Sequence, residues 1–275
     1  MHKSALLSAA VCFSALGFTV MSLAASSADK DALAHAQRLQ LEYRQGNRDA
    51  VGPLVHDLEL AVARSPDNAD LWEAMGHAYM SQQGASLSSP PDMPKLIAIG
   101  QRARDAYARS LALDPNDMLV RASHGMSQMV VSQLTGDGPG VMAGVEEMNA
   151  AVRQAPKTTG VRLTRAFTII QLPPDMRDTD AVIDDLQFIL DTAPNSRPQD
   201  VLHLMLGDVH AEMGRPEQAK TEYMQVTGAS AFAAEQVKLR LAELQKGPVS
   251  PAAIAQVRAI TGSGCVMCHA PGKDN

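Results

Sequence analysis

The sequence predicts an all-α fold built of helical hairpins that stack on one another, and three observations carry the expectation. Ala, Leu and Met are abundant, while aromatic residues make up only 4% of the 275 residues, a helix-former composition without the β-branched and aromatic enrichment of strands. Apolar residues recur at helical spacing, most clearly Trp72, Met75, Gly76 and Tyr79 at i, i+3, i+4 and i+7. Prolines punctuate the chain in a regular rhythm: Pro66, Pro115, Pro156 and Pro194 each close a segment of the same kind, after Arg64, Leu113, Arg153 and Asp191.

The first element is an uncharged run from Ala5 to Ala25 behind Met1-His2-Lys3, the layout of a secretory signal. Ser22-Leu23-Ala24 puts small residues where a signal peptidase reads, so residues 1–24 are expected to be removed, leaving Asp29-Lys30-Asp31 as polar mature sequence. At about 20 residues the run also has the length of a membrane anchor, and retention is the alternative. Cys12 falls inside it, and Val11 before it is a poor lipoprotein cleavage box. The remaining roughly 250 residues can bury a sizeable core. The net charge is −6 and no basic run occurs, which excludes nucleic acid as a partner.

The hairpins come in order at about 31–65, 69–114, 117–155, 160–193 and 200–228, and a last helix from Ala231 to Gln245 caps them with Phe232, Val237, Leu241 and Leu244 as its apolar side. In the second hairpin Asp70 or Asn68 can cap the first helix. Gly76 admits the second, Ile97 to Leu113, which turns Ala103, Tyr107 and Ser110 inward. Gln83 to Pro94 reads as an inserted loop, as do Thr135 to Gly140 and Leu172 to Met176. In the fifth, Leu206, Gly207 and His210 form one face, Gly214-Arg215-Pro216 the turn, and Ala219, Tyr223 and Val226 the return. No hairpin can bury its apolar face alone, so neighbours must stack into an α-solenoid over residues 31–246.

Two of these stretches, 69–114 and 200–228, resemble the tetratricopeptide repeat, whose pattern is W-x-x-L-G-x-x-Y, then A-x-x-x-F, then Pro. The resemblance implies a right-handed superhelix with a concave groove for a peptide or protein segment, and it implies no catalysis. Leu54 to Tyr79 is also similar to the periplasmic repeat domain of cytochrome c maturation proteins.

Residues 247–275 read as a separate tail. Gly247-Pro248 breaks the capping helix, Ser250 and Pro251 begin a short helix to about Ile260, and Thr261-Gly-Ser-Gly264 leads into Cys265-Val-Met-Cys268-His269. In a C-x-x-C-H motif each cysteine can add across a haem vinyl group, and the histidine ligates the iron. Cys265 and Cys268 are thus expected to anchor one covalent haem c and His269 to be its proximal ligand. A disulfide, part of a zinc site lacking a fourth ligand nearby, or a chance motif are the alternatives. Ala270-Pro271-Gly272 resembles the residues after the motif in class I cytochromes c, but those domains place a distal Met and the haem's cover later in the chain. Cytochromes c-prime carry the motif near the C-terminus on a continuous helix, against which Gly262 and Gly264 argue.

The tail cannot enclose a haem, so the hairpins or a partner must cover its other face. His35, His56, His77, His124, His203 and His210 are candidate distal ligands, each more simply a surface or groove residue; Met126, Met129, Met142 and Met148 fall at helical spacing and read as core. Met267, inside the motif, cannot reach its own iron's far side. Asp178, Asp180, Asp184, Asp185, Glu146 and Glu147 read as solvated helix faces. No paired carboxylate, Ser-His-Asp set or phosphate loop supports hydrolytic or transferase chemistry. The expectation is an exported, periplasmic monohaem c-type protein in electron transfer, its groove docking a protein partner. An assembly factor that binds client polypeptides is the alternative, and a small haem peroxidase a third reading. A membrane is involved only if the N-terminal segment is retained.

Overall fold

The computed structural model describes residues 26–87, 91–192 and 199–255. The signal expected over 1–24, Pro194, and the tail from 256 onward, with Cys265, Cys268 and His269, lie outside the described residues. Within them the fold is all-helical, with eleven α-helices, a single 3-10 turn at Arg48–Ala50 and no strand. None of these helices is long and apolar enough to cross a membrane.

The helices are α1 (Ser27–Arg44), α2 (Val51–Arg64), α3 (Ala69–Ala85), α4 (Met93–Leu113), α5 (Met118–Thr135), α6 (Gly138–Gln154), α7 (Thr159–Ile169), α8 (Thr179–Thr192), α9 (Gln199–Glu212), α10 (Pro216–Tyr223) and α11 (Ala231–Leu244). Their starts obey the expected chemistry. Asn68 accepts from the N–H groups of Asp70 and Leu71, Asp117 from Leu119 and Val120, Asp137 from Gly140 and Ser230 from Ala233, filling donors that a helix leaves open at its N-terminus. Each helix packs on the next, and α1 also meets α3, α5 meets α7, and α9 meets α11. Two apolar clusters result. One joins α1 to α4 and ends at Val120; the other runs from Ala122 through α11 to Val249 and Ile254.

Close approach within a pair depends on glycine. A Cβ on Gly76 would stand 2.5 Å from Tyr107 Cε1, and one on Gly207 would enter the Tyr223 ring. Tyr107 and Tyr223 are accordingly fully buried at the centres of their hairpins.

Several local expectations change. The inserted loop is shorter than Gln83 to Pro94, because α3 runs on to Ala85 and α4 starts at Met93. Gln83 is a buried helical residue whose amide donates to the Leu96 carbonyl in the first turn of α4 at 2.8 Å, which satisfies its own buried N–H across the helix pair. Thr135 and Gly138 to Gly140 are likewise helical, leaving only Gly136 and Asp137 as the turn. Several acids are buried, Asp185 and Asp29 among them. Asp185 is fully buried and accepts from Arg162 Nη1 at 2.8 Å and Arg165 Nε at 2.7 Å. Asp29 is buried where Ser65 and Asn68 donate to it at 2.8 and 3.3 Å, and the Ser65 bond leads the contacts that hold its carboxyl below the usual range.

Gly76→Ala is expected to destabilise the protein by about 1–3 kcal/mol through overpacking, although alanine is intrinsically the better helix former by about 1 kcal/mol. Gly52→Ala in α2, where nothing stands within 4 Å of the new Cβ, is expected to shift the denaturant midpoint the opposite way. Equal shifts in the two variants would remove the role given to close approach.

Candidate functional site

The register set by the hairpin glycines defines one face of the first helices. Gly76 faces Tyr107 of α4, Gly125 faces Gly144 and Met148 of α6, and Gly207 faces Tyr223 of α10. The residue after each glycine lies about 100° further round its helix, at the edge of the hairpin interface. These residues are His77, Met126 and Asp208. His77 and Met126 line a groove, and Asp208 lies under a buried arginine of α11.

The groove has two adjoining cavities. One, of about 460 Å³, lies between α1 and α3 and is lined by Leu33, Gln37, Gln40, Arg44, Asp70, Glu73 and His77. The second, of about 290 Å³, is bounded by α1, α3, α4 and α5, with Met80, Leu87, Leu96, Met126, Val130 and Leu134 as its apolar wall. Gln40, Arg44 and His77 border both cavities, so a polar half runs into an apolar, methionine-bearing half. Gln40 is held by Ser81, to whose Oγ it donates at 2.8 Å. His77 Nδ1 bonds the Tyr107 hydroxyl at 2.8 Å and its Nε2 lies 3.5 Å from Glu73, so both ring nitrogens are engaged. Arg44 differs: its Nε is buried without a hydrogen-bond partner, a situation that costs free energy until an anion or acceptor arrives.

The four methionines read as core divide. Met129 and Met148 are buried, Met142 is exposed, and Met126 is half-buried in the groove. The histidines are mostly committed to acids: His35 to Asp57 at 3.2 Å, His124 to Glu147 at 2.7 Å and His203 to Glu222 at 2.8 Å. Glu147 therefore belongs to an inter-helix pair and not to a solvated face. His56 is exposed. Burial pushes the His210 ring towards its neutral form, and its Nδ1 has no partner. No group of three or more His, Cys, Asp or Glu among the described residues could hold a metal.

The root of the tail is pinned. Arg240, 1% exposed, donates from Nε to Asp208 Oδ1 at 2.8 Å and from Nη2 to the Ala253 carbonyl at 2.9 Å. The Tyr223 hydroxyl donates to Asp208 at 2.7 Å; burial chiefly, and then the Asp208 charge, push its pKa far above the ordinary phenol value, so the proton stays in that bond. Glu243 accepts from Ser250 N at 2.9 Å, and Val249 and Ile254 are buried. Sequence reasoning missed Arg240, whose partners lie 32 and 13 residues away. Asp200 holds the loop before α11, accepting from the N–H groups of Thr227, Gly228 and Ser230 at 2.8, 3.0 and 2.8 Å.

No protein-family model matches the chain, and no curated protein matches it.

Burial alone would raise the Asp200 pKa, but the donors from Ser230, Thr227 and Gly228 outweigh it and hold the carboxyl below its usual range. The stability it contributes is therefore complete above the unfolded value of about 3.9 and is lost as pH falls through the lower folded value. Asp200→Asn is expected to lower the melting temperature at pH 7, with the gap to the parent narrowing below about pH 4. A gap unchanged at pH 3 would count against ionised Asp200 as the cause.

Proposed function

We propose that this chain is an exported, periplasmic electron-transfer protein with one covalent haem c on its C-terminal tail and a tetratricopeptide-like α-solenoid as its scaffold. The observation that carries the reading is the Cys265-x-x-Cys268-His269 motif, which comes after a root that the fold fixes at Arg240, Val249 and Ile254. Cys265 and Cys268 would hold the group by thioether bonds and His269 would ligate its iron. A haem so held supplies reversible one-electron chemistry, with a potential governed by its ligands and its exposure. The described residues fit such a group. An apolar wall with thioethers, beside a guanidinium whose buried Nε lacks a partner, suits an apolar disc edged by carboxylates. Helices that each pack on the next, with α1 on α3, α5 on α7 and α9 on α11, support the solenoid reading, and the same scaffold offers surface to a protein partner.

One observation favours a second reading, a client-binding assembly factor of the cytochrome c maturation type. The groove joins polar and apolar halves, a mixed chemistry that also suits a polypeptide segment.

Expression in a host equipped for c-haem assembly is expected to give a periplasmic protein whose intact mass includes one haem and whose pyridine haemochrome spectrum is that of a c-type group. Cys265→Ser with Cys268→Ser is expected to abolish both signals and leave the helical circular dichroism unchanged. Parent protein without haem would reject the proposal, and polypeptide binding that survives the double substitution would turn the assignment to the second reading.

A further inference from the structure

We infer that the inner cavity, bounded by α1, α3, α4 and α5, binds a monocarboxylate with a short aliphatic chain, its head on Arg44 and its chain against the apolar wall. This is a small-molecule site beyond the haem proposal, and it does not depend on that proposal.

Charge decides the head group. Among the described residues that line this cavity, Arg44 carries the permanent charge and none is an acid. The buried Nε of Arg44 has no hydrogen-bond partner. A guanidinium takes a carboxylate through two parallel charge-assisted bonds, and the side-on arrangement uses Nε–H with one Nη–H. Occupancy would therefore remove the cost of a buried donor left unpaired. Gln40, one turn before Arg44 on α1, donates to Ser81 Oγ at 2.8 Å. Its second amide N–H and the Ser81 hydroxyl proton are then further donors beside the guanidinium. One guanidinium balances one negative charge, which selects a carboxylate over a phosphate dianion. The outer cavity carries Asp70 and Glu73, which repel an anion, so the head stays at Arg44 on the border of the two.

The wall decides the rest. Met80, Leu96, Met126, Val130 and Leu134 form the apolar side of the inner cavity. An extended peptide laid against them would bury backbone N–H and C=O groups without partners. An aliphatic chain brings no such groups, and its burial is favourable. Two of the five are methionines, whose flexible side chains fit themselves to an irregular chain. The inner cavity, at about 290 Å³, lies at the lower end of ligand sites, which limits the chain to a short one.

The test titrates octanoate into the full-length protein by calorimetry, both haem-loaded and as the Cys265→Ser, Cys268→Ser variant. Both forms are expected to take up one octanoate per chain, and neither to take up acetate, which lacks the chain. From hexanoate to octanoate the affinity is expected to rise about fourfold per methylene. Octanedioate, whose second carboxylate would lie against the apolar wall, is expected to bind at least roughly tenfold more weakly than octanoate. Arg44→Gln is expected to weaken octanoate at least roughly tenfold and to leave the binding of 1-octanol unchanged, which separates a lost charge from a lost fold. Arg153→Gln, at an exposed arginine of α6, is expected to change neither. The ligand series on the parent tests the inference even if Arg44→Gln fails to fold. A parent that does not bind octanoate, or binding indifferent to Arg44, would overturn the inference. An apolar peptide that displaces octanoate at lower concentration would overturn it in favour of a polypeptide. Uptake confined to the haem-free variant would overturn it in favour of the haem as occupant.

Discussion

The glycines at the centres of the hairpins are the constraint on which the rest depends. Gly76 and Gly207 let a tyrosine ring lie flush on the opposing helix, and Gly125 meets the backbone of Gly144 in the same way. Close approach buries the rings and fixes the rotation of each first helix about its axis. With that rotation set, the next residue lies at the edge of the interface, and in the first two cases, His77 and Met126, it lines the groove. His77 and Met126 thus border one cavity, each placed by the glycine one position earlier in the chain. A side chain at any of these glycines would push the helices apart and turn that face at the same time.

This local logic explains why so much of the fold is legible in the sequence. Apolar residues at helical spacing, an Asn or Asp cap and a closing proline all act within one hairpin, and contacts between consecutive helices dominate the packing. Buried charge was not legible, because the partners are remote. Asp185 meets Arg162 and Arg165 from 23 and 20 residues away, and Asp29 meets Ser65 from 36 residues away. In sequence each looks like one more acid on a helix face. Gln83 shows the same limit within a pair: its loop-like company, Gly84 to Pro94, hides an amide that bonds the first turn of α4. The candidate site divides along the same line. The C-x-x-C-H motif is a purely local signal, whereas the groove is an arrangement of α1, α3, α4 and α5, and nothing near Arg44 in the chain announces that its Nε lacks a partner.

Buried ion pairs are weak evidence for stability, because desolvation offsets most of the attraction. Those in this chain are better read by what they hold in place. Arg162 and Arg165 on α7 meet Asp185 on α8, and Arg177 before α8 meets Glu212 at the end of α9. Each pair ties together segments that lie far apart in the chain. Arg240 does the same for the C-terminus, tying α11 to α9 and to Ala253.

That last pin carries the order of the scaffold past the end of α11. Arg240 joins Asp208 of α9 to the Ala253 carbonyl, and Val249 and Ile254 are buried beyond the helix end. A guanidinium is expensive to bury, yet here it ties the residues after α11 to α9 through the same carboxylate that accepts from the Tyr223 hydroxyl of α10.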